Sequence, residues 1–398
     1  MLVKNASHPA GLSIELVEMP PLDEVERHWR DLQERSDISF FTSWTWIGAW
    51  LRNLPPEVQP RLLLARLNGR WMGAGILVLS TVIKARCVPM RVWHLHETGR
   101  PDLDKITIEY NGLVIDDTVK HFLEPMMIRH LIDQGGGWDE IQFNALRRPV
   151  LAPRRRRHCQ AKIKRVRRPA YQISLVDVRQ AGQHTALLKQ KPRYHIKRSL
   201  QSYQKEWGAV TIEAAQSLSE ALTWMEALKK LHSACWSGRQ VEGAFNTPFF
   251  NQFHDDVIRE GFERGEVQIL AIKAGQQDIA YLYNFVWKGH VYNYQSGVNY
   301  DAAGGKNSPG LVSHTLAIDL NTALGHHTYD LMAGDHHYKR ALSLQTIQLD
   351  WFSLRSPTLC TKAEDGVRLA ARIGWRLSAQ THRLPEWLAA SAPLILPL

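Results

Sequence analysis

The chain has 398 residues, of which 44% are hydrophobic and 22% charged, and it carries a formal net charge of +10. These are globular proportions, and the length suits two domains with separate cores. No stretch approaches the roughly 18 apolar residues of a membrane span, the start lacks a basic-then-apolar secretory pattern, and the scattered cysteines Cys87, Cys159, Cys235 and Cys360 form neither a zinc motif nor a disulfide framework, so a reducing cytoplasm is expected.

In chain order, Leu22–Arg35 is predicted as a helix, and an aromatic segment, Phe40–Trp50, follows. Arg61–Leu67 and Arg70–Val82 flank Asn68-Gly69, a strong hairpin signal. Further strands are predicted at Val88–Leu95 and Lys105–Ile115, then a helix near Val119–Gln134 ended by a glycine triplet, then a strand Trp138–Phe143. The second half repeats this order. Helices are predicted at Ala186–Glu206, Leu218–Ser233 and Pro248–Arg264. Strands are predicted at Val210–Ala214, Glu266–Lys273, Ile279–Trp287, Val291–Gly297, Thr328–Met332 and Thr346–Ser353, with a helix between Ser308 and Leu324. The repeated pattern implies two related α/β units, residues 1–165 and 166–398.

The basicity is concentrated. Arg147–Arg168 holds 11 Lys/Arg and no Asp/Glu, and taking those 11 from the chain's 49 leaves 38 basic against 39 acidic residues. Such a run is either a solvated edge between domains or a contact for RNA or an anionic surface. Lys189–Arg198 is a second basic cluster.

The densest chemistry lies between Tyr281 and Lys339. The loop Asn299–Gly310 places Ser308 at a helix N-cap, Pro309 at the first helical position and Gly310 behind it, preceded by Lys306 and Asn307. A helix start of this kind seats phosphate through its N–H groups and its dipole. The adjacent pairs His326-His327 and His336-His337 point to opposite sides of an extended chain, so neither chelates alone and no metal is expected. Cys235 lacks the His and Asn partners of a thiol enzyme.

The order of meander, loop, helix, strand, Tyr-bearing segment and strand resembles the GNAT acyltransferase fold: an α/β (mixed-sheet) protein with two tandem GNAT-like domains. The segments Phe41–Trp50, Lys189–Trp207, Lys306–Gly310 and Tyr329–Lys339 look most like its BioF2-like (CelD-type) double-domain branch, related to the FemAB aminoacyl-transferases. The resemblance implies a cytoplasmic acyltransferase using acyl-CoA and no metal. Its acceptor would be an amino or hydroxyl group, in exopolysaccharide or other envelope-polymer synthesis. It places donor binding at Lys306, Asn307, Ser308 and Gly310. It makes Tyr338 the proton donor to the leaving thiolate, with Lys339 beside it. The chain departs from the family in lacking the usual Gln/Arg-x-x-Gly-x-Gly/Ala loop.

For the base, Asp330 comes first, then Asp335, Tyr294 and His232. Arg239 and Glu242 would select the acceptor. The first domain, without a Ser-Pro-Gly loop or a Tyr-Lys pair, would frame the acceptor. The alternatives are a Fem-like transferase using aminoacyl-tRNA and a non-catalytic RNA-binding or scaffold protein. A monomer or homodimer is expected.

Overall fold

The computed structural model describes residues 10–134, 136–147, 162–236, 244–301 and 307–381. The chain opens with β1 (Leu12–Glu18), α1 (Leu22–Glu34), α2 (Trp44–Asn53), β2 (Pro60–Leu67), β3 (Arg70–Lys84), β4 (Val88–Leu95), β5 (Val114–Ile115), α3 (Lys120–Gln134) and β6 (Glu140–Leu146). Next come β7 (Lys162–Ser174), α4 (Leu175–Ala181), α5 (His184–Leu187), α6 (Gln190–Trp207), β8 (Val210–Ala214), α7 (Leu218–Trp236) and α8 (Pro248–Phe262). It continues with β9 (Val267–Ala274), β10 (Gln277–Trp287), β11 (His290–Val298), α9 (Pro309–Ala323), β12 (Thr328–Ala333), α10 (His337–Leu342), β13 (Gln345–Arg355) and α11 (Leu359–Thr381).

The expected mixed α/β fold is present. By contacts the chain forms two compact units that are not contiguous stretches. Unit 1 comprises residues 1–44, 54–167 and 350–398, and unit 2 comprises 45–53 and 168–349. One division falls after residue 167, but residues 45–53 of α2 count with unit 2 and residues 350–398 with unit 1, so neither unit is the continuous half expected from sequence.

In unit 1, β1–β2–β3–β4 run antiparallel, β6 lies parallel to β4, and Asp350–Arg355 of β13 closes the sheet antiparallel to β6. The Asn68-Gly69 turn has φ of 50° and 82°, the two left-handed residues of a tight hairpin. Helix α1 buries Val25, Trp29, Leu32 and Gln33 at helical spacing, with Asp23 and Glu24 complementing its N-terminus. Helix α3 covers a core of Leu63, Leu77, Trp93, Leu123, Met127 and Phe143. The strand expected over Lys105–Ile115 shrinks to Val114–Ile115. Thr107 and Tyr110 adopt left-handed φ of 42° and 51°, which a continuous strand cannot hold.

Unit 2 repeats the path: β8–β9–β10–β11 antiparallel, β12 parallel to β11, and β7 closing antiparallel to β12. The closing strands are exchanged in sequence. β7 follows β6 along the chain yet completes unit 2, and β13 follows β12 yet its second half completes unit 1. Helices α4, α6 and α9 pack on one face over Leu270, Ile272, Leu282, Val291, Val312 and Tyr329. Helix α2 sits with α8: Arg52 pairs with Glu260 at 2.5 Å, Asn53 donates to Asp256 at 2.7 Å, and Trp46 meets Phe253 edge-on at 4.8 Å.

Residues 148–161 of the basic run lie outside the described residues. Of its remainder, Arg165 and Arg167 pair with Asp350 in unit 1, at 3.4 and 3.1 Å.

Candidate functional site

Strands β11 and β12 of unit 2 pair over only three residues, His290–Tyr292 against Thr328–Asp330, although β11 runs on to Val298 and β12 to Ala333. Beyond Tyr292 the two strands part. Parallel strands that separate within a sheet leave backbone groups and side chains facing the gap; of the sequence-predicted site residues, Asp330 stands at its last paired position and Tyr294 two residues beyond Tyr292 on β11.

Tyr294 lies where the β10·β11 register slips. Tyr283 pairs with Gln295 and Asn284 with Asn293, so Tyr294 is the extra residue of a bulge. Its hydroxyl is 3.2 Å from His254 Nε2, and His254 Nδ1 is 3.3 Å from the Tyr283 hydroxyl. Trp46 of α2, Phe253 of α8 and Phe285 of β10 surround this trio. Burial, and then the charge of Lys229, hold His254 well below the usual imidazole range. A neutral ring donates from one nitrogen and accepts at the other, so His254 bonds the two phenols in opposite senses. His254 was not singled out in the sequence. The available signal was a histidine inside the apolar stripe Phe250, Phe253 and Val257 of α8.

Asp330 is fully buried. Oδ2 accepts from Gln172 at 2.8 Å and from His290 at 3.0 Å, and Oδ1 accepts the Met332 backbone N–H at 2.7 Å. Met332 has φ of 66° and sits where β12 slips register against β7. The carboxylate thus pins a strained bulge, and its bonded oxygens are ill placed to take an acceptor's proton. Lys339 is also buried, and its ammonium donates to the carbonyls of Ala333 at 2.6 Å and Met332 at 3.4 Å. It ties down the end of β12, the reverse of the expected reach toward a thiolate. Asp335 is exposed, accepts from the Tyr171 hydroxyl at 2.5 Å and pairs with Arg340.

Tyr338 is half-buried and stacks on His314 of α9, with ring centroids 5.4 Å apart and planes 9° from parallel; His336 lies 6.1 Å away on a similar plane. Burial, then the neighbouring Tyr300, push its phenol far above the ordinary range, so it stays protonated. Burial, then the Lys339 charge, push His314 down to about 3, and its Nδ1 has no hydrogen-bond partner.

At the start of α9, Ser308 occupies the N-cap position, but its side chain makes no cap hydrogen bond. Instead the Ser308 N–H donates to Ser199 Oγ of α6 at 3.0 Å, and Asn307 Nδ2 donates to Ser202 Oγ at 3.2 Å. Pro309 has no N–H, so Gly310 and Leu311 supply the remaining first-turn donors. A side chain on Gly310 would meet only the Tyr300 hydroxyl, at 3.9 Å, and the first turn carries no acidic residue. Lys306, Arg239 and Glu242 lie outside the described residues.

His232 of α7 is buried, stands edge-on to Phe245 at 5.0 Å and is pushed down to about 4 by burial. The structure does not bring it to Tyr338. Cys235 approaches the Val298 carbonyl at 3.5 Å, a packing contact. Among the described residues no three His, Cys, Asp or Glu side chains converge to hold a metal ion, and no helix is long and apolar enough to cross a membrane.

Residues 190–340, most of unit 2, match the family model of the Acetyltransferase (GNAT) domain. A search of curated proteins found no match. Among solved structures, L-PGS from Bacillus licheniformis superposes with a TM-score of 0.50 at 10% identity, covering 91% of this chain and 99% of that one. The C-terminal domain of a protein described as a lysylphosphatidylglycerol synthetase, from Agrobacterium fabrum, also gives 0.50 at 10% identity, covering 86% and 95%. At such identities the likeness is one of fold. With the meander, the parting strands and α9 in the order this fold requires, residues 190–340 form an acyltransferase domain of the GNAT family.

Proposed function

We propose that unit 2 transfers an acyl group from an acyl-CoA thioester to an amino or hydroxyl acceptor where β11 and β12 part, in the synthesis of a saccharide or envelope polymer. The observation that supports this reading is the stacking of Tyr338, whose phenol burial holds protonated, on His314 of α9. The N–H groups of Gly310 and Leu311 would meet the donor's diphosphate. Asn307 and Ser308, fixed by Ser202 and Ser199, would set the loop rather than bind the donor directly.

Tyr338 would donate its phenolic proton to the departing thiolate, a transfer worth about 10²–10⁴-fold in rate, while the acylated N–H or O–H loses its proton to solvent and solvent returns one to the phenolate. A phenol whose proton is held tightly in the resting site still gives it up as a strong base develops beside it. Tyr294, with its own hydrogen directed to His254 Nε2, would turn its oxygen lone pairs toward the acceptor's N–H or O–H. His254 Nδ1–H would then donate to Tyr283, which fixes the ring. Asp330 and Lys339 would hold the strand end on which this geometry depends.

The test is calorimetric titration with coenzyme A and acyl-CoA esters of increasing chain length, followed by a release assay for the free thiol. Binding with no release in the presence of mixed amine and sugar acceptors, or no binding at all, would overturn the reading.

One observation favours a second reading, transfer from aminoacyl-tRNA. Lys191, Arg198 and Lys205 of α6 are exposed and recur every seven residues. That spacing places them on the face by which Ser202 reaches Asn307, a basic track toward the start of α9. RNA binding that weakens steeply with salt, together with no turnover on acyl-CoA alone, would select this donor.

A further inference from the structure

Unit 1 parts its strands as unit 2 does, and one strand pair beside the parting is filled differently in the two. In unit 1, β4 pairs with β6 over Val92–His94 against Glu140–Gln142. The next residue of β4, Leu95, stands opposite Leu77 of β3, and both belong to the apolar core. In unit 2, β11 pairs with β12 as far as Tyr292 against Asp330. The next residue, Asn293, stands opposite Asn284 of β10. Asn284 is fully buried and Asn293 nearly so. A pair of leucines suffices for the strand frame at this place, and a buried amide costs free energy unless its groups are bonded. The frame therefore does not ask for amides here.

The two amides belong to a chain whose orientation one backbone group sets. Asn321 of α9 donates from Nδ2 to the Ala317 carbonyl at 2.8 Å, which identifies its nitrogen. The same nitrogen donates to Gln268 Oε1 of β9 at 3.2 Å, and Gln268 Nε2 returns a bond to Asn321 Oδ1 at 3.1 Å. Gln268 Oε1 then accepts from Asn284 Nδ2 at 2.9 Å, and Asn284 Oδ1 accepts from Asn293 Nδ2 at 2.9 Å. Asn293 Oδ1 accepts from the Ser296 hydroxyl at 3.3 Å, which makes its N–H groups better donors. An amide nitrogen carries two hydrogens, and among the described residues Asn293 Nδ2 bonds only one acceptor. The two N–H bonds diverge. With one crossing to β10, the other turns away from β10, and β11 lies between β10 and the departing β12. Through Asn321 the chain lies on the face covered by α9, the helix on whose His314 Tyr338 stacks.

We propose that Asn293 is a further catalytic residue of unit 2, its second amide N–H donating to the thioester carbonyl oxygen of the acyl donor. This rests on the acyl-transfer reading given above. The acceptor's lone pair forms a bond to the carbonyl carbon, and the carbonyl π pair moves onto the oxygen, where the Asn293 N–H meets the negative charge. When that pair returns, the carbon–sulfur bond breaks. Sulfur keeps the bonding electrons and takes the Tyr338 proton, while the acceptor's proton goes to solvent. A donor fixed before the reaction stabilises this charge without reorganising. Gln268, Asn284 and Asn321 are positioning residues. They set which end of the Asn293 amide faces β10, and a released amide could flip and present its oxygen, which repels the oxyanion.

The test is isotope-edited infrared spectroscopy of the full chain with acetyl-CoA and palmitoyl-CoA, each carrying 13C at the thioester carbonyl, run beside steady-state kinetics. In the parent the labelled carbonyl stretch should fall to lower frequency on binding. In Asn293→Leu, which places the residue of unit 1 at this position, the stretch should not fall, and kcat should drop about 10²–10³-fold while donor KM stays within a few-fold. Asn284→Leu, which releases the Asn293 amide, should cause a smaller loss of the same two kinds. If Asn293→Leu does not fold, the double variant Asn284→Leu, Asn293→Leu, which reproduces the leucine pair of unit 1, carries the test. A bound thioester whose stretch is unmoved, or is the same in parent and variant, would overturn the assignment of Asn293 and leave acyl transfer standing. Absence of binding by either thioester would overturn the acyl-CoA reading and this assignment with it.

Discussion

The two strand partings share a backbone and differ in what fills them. In unit 1 the last paired residues are His94 and Gln142, and in unit 2 they are Tyr292 and Asp330. Each parallel strand then bulges against its closing strand near a left-handed residue, Ala145 at φ 53° and Met332 at φ 66°. Past that point unit 1 is bridged by Glu97 and Asn144. In unit 2 Asp330 turns back on its own strand and on β7, and Tyr294 bonds to the α8 histidine. The two units share the opening, and the residues around it differ: Glu97 takes one donor from Asn144, whereas Asp330 is locked into the scaffold by three donors.

The largest expected effect separates the units by turnover. Tyr338→Phe should lower the transfer rate about 10²–10⁴-fold while donor affinity stays within a few-fold. Unchanged turnover in single-turnover assays would remove Tyr338 from the reaction. Next is a matched pair at the last paired position. Asp330→Ala leaves the Met332 N–H, Gln172 and His290 without their acceptor, and each buried loss costs about 1–3 kcal/mol. Gln142→Ala at the equivalent, half-buried place should cost under about 1.5 kcal/mol. Equal urea midpoints for the two variants would break the comparison. Tyr294→Phe follows: about a tenfold rise in acceptor KM, the worth of one neutral hydrogen bond, with donor binding intact.

The smallest effect is a pH dependence within unit 1. The Glu97 carboxyl is raised in the folded chain, so its contribution to stability is complete below the ordinary glutamate value and is lost as pH rises through the folded value. Glu140 is the opposite case. Burial works against its charge, but Lys84 and Arg355 outweigh it and hold the carboxyl low. Its contribution is present above the ordinary value and is lost on acidification through the folded one. Thermal melts should therefore show Glu97→Gln gaining on the parent toward alkaline pH, and Glu140→Gln closing its deficit toward acid. Parallel pH profiles for the two variants would contradict both assignments.

Much of this frame is legible in the residues. Asn68-Gly69 and Gly289 mark tight turns, Ser308-Pro309 marks the start of α9, and the alternation along β9–β11 gives the meander. The role of α2 is not legible, because Trp44, Trp46, Ile47 and Trp50 are buried on every side and such a segment shows no preferred face. The exchange of β7 and β13 is hidden for another reason: strand periodicity states which face is covered but not which neighbour completes the ladder. The partners of Asp330 and Lys339 are hidden for a third, since a charged residue in a strand or a short helix reads as exposed until its partners are placed.

The exchange has a consequence for synthesis. The ladder of unit 1 that pairs Glu140–Leu146 with Asp350–Arg355 joins segments some 200 residues apart in the chain. Unit 1 must wait on the ribosome with the β13-facing edge of β6 open until nearly all of unit 2 has been translated, so truncated products should be captured by chaperones rather than accumulate as folded halves.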